Sequence, residues 1–159
     1  MKNMETVYIE TTIVSYLVAR SSSEPIMSAH QQLTRRWWQD RRPRFHCVTS
    51  TEVVREASQG DPKMSRLRLE ALADLPVLPI TETTRELAKE ILQRGLLPPQ
   101  AVSDAIHVAV ASTEGIETLL TWNCRHLANP AILRSLRVFM SAHGLLLPEV
   151  CTPVELGAD

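Results

Sequence analysis

Three carboxylates, Glu10, Glu56 and Asp104, stand where an α/β fold of this size could bring them together. Glu10 ends an apolar run, Val7-Tyr8-Ile9, that reads as a buried strand. Glu56 lies on a helix just after a second such run, and Asp104 opens a helix of small and β-branched residues. A fourth polar group, Asn123, closes the short run Leu119-Leu120-Thr121-Trp122. Ligands of open α/β sheets bind beyond the carboxyl ends of the strands. Acidic groups gathered there have one common use, which is to hold a hard cation such as Mg²⁺ through oxygen.

Each of these residues also has a plainer use. A carboxylate at the end of a buried strand is costly unless it is solvated, paired or bound to a cation. Glu10 could therefore face water or cap the helix that follows. Aspartate at a helix start is favoured by the macrodipole in any case. Yet the run from Val102 to Ala111 is apolar nearly all round, with Ser103, Asp104 and His107 as its polar groups. The i, i+3 spacing puts Asp104 and His107 on one face. His107 reads as a core histidine hydrogen-bonded to a carboxylate or backbone sooner than as a ligand. Glu52 and Glu56 share a helix face one turn apart, although Glu52 can equally pair with Arg55 or Arg36. Asparagine is a common strand-end turn residue, so Asn123 alone decides nothing.

The elements that must position these groups alternate in a βα manner. Residues 6–10 read as a strand, and Thr11-Thr12 offer hydroxyls to cap a short helix through Leu17. A long helix is expected from about Ile26 to Gln39 and a second strand from Phe45 to Thr49, with Ser50-Thr51 capping the helix of Glu52 and Glu56. Asp61-Pro62 starts another helix. Pro76 and Pro79 bracket a short strand, Val77-Leu78, near a sheet edge. Thr81 or Thr83 caps a helix to Gln93, and Ser103 caps the helix of residues 104–114. A strand at 118–122, a helix from Pro130 to Ala142 and a strand near Val150 complete the chain. Strands separated by helices predict a central, mostly parallel sheet covered on both faces.

The bulk properties exclude several classes. A chain of 159 residues fits one domain, 1–159. A net charge of −1 argues against a general nucleic-acid coat protein, which needs a broad basic surface. Cys47, Cys124 and Cys151 contain no Cys-x-x-Cys pair, and Cys124 with His126 supplies too few ligands for a soft-metal site. Free thiols fit a reducing compartment. The start, Met1-Lys2-Asn3-Met4-Glu5, is polar, and no apolar run approaches the roughly 20 residues that span a bilayer. A cytoplasmic protein without a membrane partner is expected. The stretch from Arg35 to Arg44 holds five arginines and two tryptophans against one aspartate. Arg35, Arg36, Trp37, Trp38 and Arg41 would suit single-stranded RNA. Tryptophans at a helix end are more often core or partner-interface anchors, with arginines lying around them.

The strand Val7-Tyr8-Ile9-Glu10-Thr11-Thr12, the segment ending in Glu56, Ser103-Asp104-Ala105-Ile106-His107-Val108-Ala109 and Leu120-Thr121-Trp122-Asn123 together resemble the PIN-domain nucleases. The likeness is nearest to the VapC-type toxins of toxin–antitoxin pairs. The resemblance implies a PIN-like, Rossmann-like three-layer α/β fold and a Mg²⁺- or Mn²⁺-dependent endoribonuclease. It further implies an RNA substrate, a homodimer and a small cognate antitoxin. Glu10 falls where the family usually has aspartate, Glu56 on its helical glutamate, and Asp104 on its third acidic position. Asn123 falls where many members have another aspartate, and Glu52 at a position usually apolar. The resemblance thus implies that Glu10, Glu56 and Asp104 hold the cation while Asn123 positions water or a phosphate oxygen. His107 would then orient Asp104, with Glu52 and Thr11 in support. The competing class is a degenerate PIN domain that binds protein or RNA without catalysis, and the two differ in metal dependence.

Overall fold

The computed structural model describes residues 3–157. Met1 and Lys2 of the polar start, and the last two positions of the expected 1–159 domain, lie outside the described residues. Five strands, β1 (Thr6–Ile9), β2 (His46–Ser50), β3 (Val77–Leu78), β4 (Thr118–Leu120) and β5 (Glu149–Cys151), form one sheet in the order β3-β2-β1-β4-β5. All four pairings are parallel, with Val7 opposite both Cys47 and Thr118. A strand inside such a sheet is covered on both faces, so its sequence is apolar without alternation. The central β1 obeys this: Val7, Tyr8 and Ile9 are fully buried. β3, flanked by prolines, takes the edge.

The order of the strands fixes where a ligand can enter. The chain winds from β1 outward through β2 to β3, then returns to the other side of β1 for β4 and β5. The topological switch point therefore lies between β1 and β4, and the crevice beyond their carboxyl ends is the ligand site of such folds. Glu10 directly follows β1, and Thr121 to Asn123 directly follow β4.

Seven α-helices surround the sheet: α1 (Thr11–Val18), α2 (Pro25–Arg36), α3 (Thr51–Ala57), α4 (Pro62–Leu72), α5 (Glu82–Gln93), α6 (Val102–Thr113) and α7 (Pro130–Ala142). Ser50, Asp61 and Thr81 cap α3, α4 and α5 with their side chains, as their sequence positions predict. Of the two caps offered for α1, Glu10 is the one used, in place of the Thr11 or Thr12 hydroxyl, by accepting from the Thr12 N–H. One expected cap differs. Ser103 lies inside α6, whose start has no side-chain cap, and its hydroxyl instead donates to Glu52. α6 is buried from Val108 to Ser112 as well as at Ala105 and His107, which accounts for its small residues. Among the described residues no helix is long and apolar enough to cross a membrane.

The expected helix from Ile26 to Gln39 ends early. Its α-helical part stops at Arg36, and Trp37–Arg41 forms a wider π-helical turn followed by a 3₁₀ turn at Arg42–Arg44. Trp37, at this boundary, is fully buried, stacks on Phe45 at 5.8 Å and donates its indole N–H to the Leu156 carbonyl. Pro43 then forbids continuation of the helix. The strand expected at 118–122 is likewise shorter, because Thr121 and Trp122 turn away to bond near Glu10.

Candidate functional site

Glu10 leaves the sheet with its side chain 3% exposed in the crevice. Its Oε2 accepts from the Thr12 amide, the Thr12 hydroxyl and the Thr121 hydroxyl, the last at 2.7 Å. Burial pushes its carboxyl above the ordinary glutamate value, and these bonds with the nearby His107 only partly offset that.

Glu56 reaches the same crevice from α3. Its Oε1 accepts from the Thr11 hydroxyl at 2.6 Å and meets His107 Nε2 at 2.6 Å. Burial alone would raise this carboxyl, but the hydrogen bond and charge of His107 outweigh it and the net direction is downward. His107 is fully buried, and its Nδ1 lies 2.7 Å from the Tyr8 hydroxyl, which meets Ser50 Oγ at 2.7 Å. Burial disfavours the imidazolium, yet Glu56, Glu10 and Asp104 together hold its pKa above the usual histidine value. Both ring nitrogens are thus engaged, so His107 is a hydrogen-bonded core histidine. The structure corrects one expectation here: His107 orients Glu56, not Asp104.

Asp104 stands in the first turn of α6 and is oriented by two other residues. The Asn123 amide donates to both of its oxygens at 3.2 Å, and His126 Nδ1 lies 3.1 Å from Oδ2. Asn123 Oδ1 in turn accepts the His126 backbone N–H. The Asn123 amide thus bridges Asp104 and the His126 backbone. The turn bearing it is fixed by Trp122, which stacks on His30 at 4.1 Å and donates to Thr34 Oγ1 at 2.7 Å. Glu52 is also committed, in a bidentate pair with Arg55 that draws its carboxyl below the ordinary range.

Ligand atoms of Glu10, Glu56 and His107 lie within 4.8 Å of one another. The donor chemistry fits a hard divalent cation. Glu10 uses only Oε2, and Glu56 only Oε1, for protein hydrogen bonds among the described residues. Each keeps a second oxygen for a ligand, as Mg²⁺ and Mn²⁺ require.

The basic run is placed elsewhere. It enters β2 at the amino end, whereas the crevice lies beyond the carboxyl ends of the parallel strands. Trp37 is core, and Arg35 donates to the Leu17 and Ala19 carbonyls at the end of α1. Trp38 is half-buried under the Arg42 guanidinium at 4.5 Å, Arg41 is half-buried, and Arg36 is exposed. Sequence reasoning missed Thr12 and Thr121 as groups that hold Glu10, missed Tyr8 and Ser50 as the chain that holds His107, and set His126 aside with Cys124. The available signal was a tyrosine inside an otherwise aliphatic strand, which needs a buried hydroxyl partner.

No curated protein matches the sequence. Among solved structures, the VapC20 toxin of Mycobacterium tuberculosis, described as cleaving the sarcin–ricin loop, is 20% identical with a TM-score of 0.58. The match covers 75% of this chain and 91% of that one. DNA-bound VapBC of Salmonella typhimurium is 12% identical with a TM-score of 0.56, covering 94% and 99%. VapBC2 of Rickettsia felis, bound to a fragment of its promoter, is 15% identical with a TM-score of 0.51, covering 92% and 98%. At these identities the likeness is one of fold. The PIN-domain family model matches residues 7–129, from β1 through the turn beyond Asn123, so that Glu10, Glu56, Asp104 and Asn123 all fall within it. This chain belongs to the PIN-domain family.

Proposed function

We propose that the protein is a Mg²⁺- or Mn²⁺-dependent endoribonuclease and the toxin of a toxin–antitoxin pair. The observation that carries this reading is the buried Glu10 carboxylate, held on one oxygen and free on the other, beside Glu56 at the β1/β4 switch point. The fold shared with VapC20 and with toxin–antitoxin complexes supports an RNA substrate, a cognate antitoxin, a homodimer and a cytoplasmic setting. Residues 1–159 act as one domain in this reading.

Glu10 and Glu56, whose ligand atoms lie in one group, hold the cation directly, and Asp104, outside that group and bonded on both oxygens, holds it through the cation's waters. When bound, it supplies charge neutralisation at a phosphodiester and a lowered pKa for water, which suits in-line hydrolysis. The rest of the chemistry is preorganisation by the chain. Thr12 and Thr121 lock Glu10, His107 and Thr11 lock Glu56, and Asn123 with His126 locks Asp104. Each carboxylate is therefore aimed before the substrate arrives, which is how a site avoids reorganisation during reaction.

Asp104→Asn tests this assignment. The side chain keeps its shape, so the fold and melting temperature stay close to wild type. Cleavage of a labelled mixed-sequence RNA falls by at least about 10³-fold, since a bound cation supplies several kcal/mol of transition-state stabilisation. Cleavage within tenfold of wild type removes Asp104 from the site. An RNA- or partner-binding module would instead bind equally well in EDTA and tolerate this change.

A pH dependence follows from the raised Glu10 carboxyl. A cation must displace its proton, so Mn²⁺ affinity falls as pH drops through that raised value. Protonation of His107, also favoured above its usual range, adds a positive charge and acts in the same direction. The Mn²⁺-induced rise in melting temperature is therefore larger at pH 8 than at pH 5. An equal rise at both values contradicts Glu10 as a ligand.

A further inference from the structure

The basic run from Arg35 to Arg44 lies at the wrong end of the sheet to meet RNA at the carboxylates. An acidic crevice repels a polyanion, and the Arg55 guanidinium is fixed beside it by Glu52 and Ser103. Arg55 precedes Glu56 on α3, and its Nη2 also reaches Ser103, the neighbour of Asp104, at 3.1 Å. It thus spans the two helices that deliver those carboxylates. Resting on the ribonuclease reading, we infer that Arg55 binds a phosphate of the RNA chain beside the one that is cleaved.

The donor count supports this role. A guanidinium has five N–H groups in a fixed fork. Nε donates to Glu52 Oε2 at 3.0 Å, and Nη2 donates to Glu52 Oε1 at 2.6 Å and to Ser103 Oγ. Nη1 has no hydrogen-bond partner among the described residues, and the side chain is 53% exposed while that of Glu52 is 8% exposed. The edge of Nε and Nη2 is anchored on a buried carboxylate, and Nη1 keeps its N–H groups for a ligand. Neutralising Glu52 alone would need only that edge. The anchored arginine has already lost its rotamer freedom, so a phosphate oxygen would meet a preorganised Nη1 donor. Glu52, at a position where the resemblance leads one to expect an apolar residue, is then the anchor of this arginine.

The test uses a fluorescent single-stranded oligoribonucleotide and full-length protein in Ca²⁺, a hard cation that takes the same oxygen ligands. Binding is followed by anisotropy across a salt series. Arg55→Gln should weaken binding about tenfold. It should also reduce the slope of log K against log salt by about 0.7, the value for one single-strand phosphate contact. Arg55→Lys, which keeps the charge without the fork, should restore most of the slope and only part of the affinity. The double variant Glu52→Gln/Arg55→Gln removes both charges of the pair and covers the case in which Arg55→Gln does not fold. It should show the same loss of slope. An unchanged slope in these variants, with Mn²⁺ affinity raised or the melting temperature lowered, overturns the inference and leaves Arg55 as the counter-ion of Glu52. Wild-type protein that neither binds nor cleaves RNA would bring down the ribonuclease reading itself, a different result from cleavage with an unchanged slope.

Discussion

Glu10→Gln is expected to abolish Mn²⁺ binding and RNA cleavage while raising the melting temperature of the metal-free protein. Glutamine keeps an oxygen for the Thr12 amide and the Thr12 and Thr121 hydroxyls, so the α1 cap survives. It removes a charge that burial makes costly in the absence of a cation. The sign follows from the direction of the shift. The folded state holds the Glu10 proton to higher pH than the unfolded chain does. Wild-type stability is therefore lost as pH rises from the ordinary glutamate value through the raised one, and the variant escapes that loss. The gap between the two proteins is small at acidic pH and full above the window. Each kcal/mol recovered moves the midpoint by about 2–4 °C for a chain of this size. Cleavage should fall by at least about 10³-fold. Scanning calorimetry with and without Mn²⁺ reads both effects. A variant that melts lower than wild type at pH 8, or still binds Mn²⁺, contradicts the role given to Glu10. Active sites commonly give up stability in this way for function.

His107→Leu should be the most destabilising single change near the site. The imidazole sits fully buried between Glu56 and Tyr8, with both nitrogens engaged at 2.6 and 2.7 Å. Leucine fills much of the volume but leaves the Glu56 carboxylate without its cationic partner. Breaking one side of a fully buried pair costs about 3–5 kcal/mol, and because the Glu56 side chain is 26% exposed the loss here should be about 2–3 kcal/mol. The Tyr8 hydroxyl keeps only Ser50. Cleavage should also fall, because Glu56 retains only Thr11 to aim it. Adding Glu56→Gln to this background should cost far less stability than either change alone predicts, since the two residues share one network. Urea unfolding of the four proteins measures that coupling. A loss below about 1 kcal/mol for His107→Leu would show that the network contributes little.

The elements were legible because their signals are local. The apolar run of β1, the Asp61-Pro62 start of α4 and the flanking prolines of β3 each carry a mechanism that acts within a few residues. The parallel order followed from alternation of strands and helices. The three carboxylates were visible for a similar reason: Glu10 stands at the end of a strand, Glu56 on the helix just beyond one, and Asp104 in the first turn of an otherwise apolar helix. Their partners were not visible. Thr121 lies 111 residues from Glu10, and Glu56 lies 51 from His107. Spacing on one helix joined His107 to Asp104, but the ring crosses to α3 instead, and His126 takes the place expected for it. Ser103 misled in the same manner, since a hydroxyl at a helix start fits a cap until Glu52 draws it across to the neighbouring helix. Trp37, where α2 gives way to the π-helical turn, contacts Leu156 far along the chain, which no helical period records.

The most direct measurement is cleavage of a labelled mixed-sequence RNA by purified protein stripped of any bound partner, in Mn²⁺, in EDTA, and after Mn²⁺ is restored. The account predicts internal cleavage in Mn²⁺, none in EDTA and recovery on restoration. Cleavage that persists in EDTA, or folded protein that leaves the RNA intact in Mn²⁺, contradicts a carboxylate-held metal nuclease.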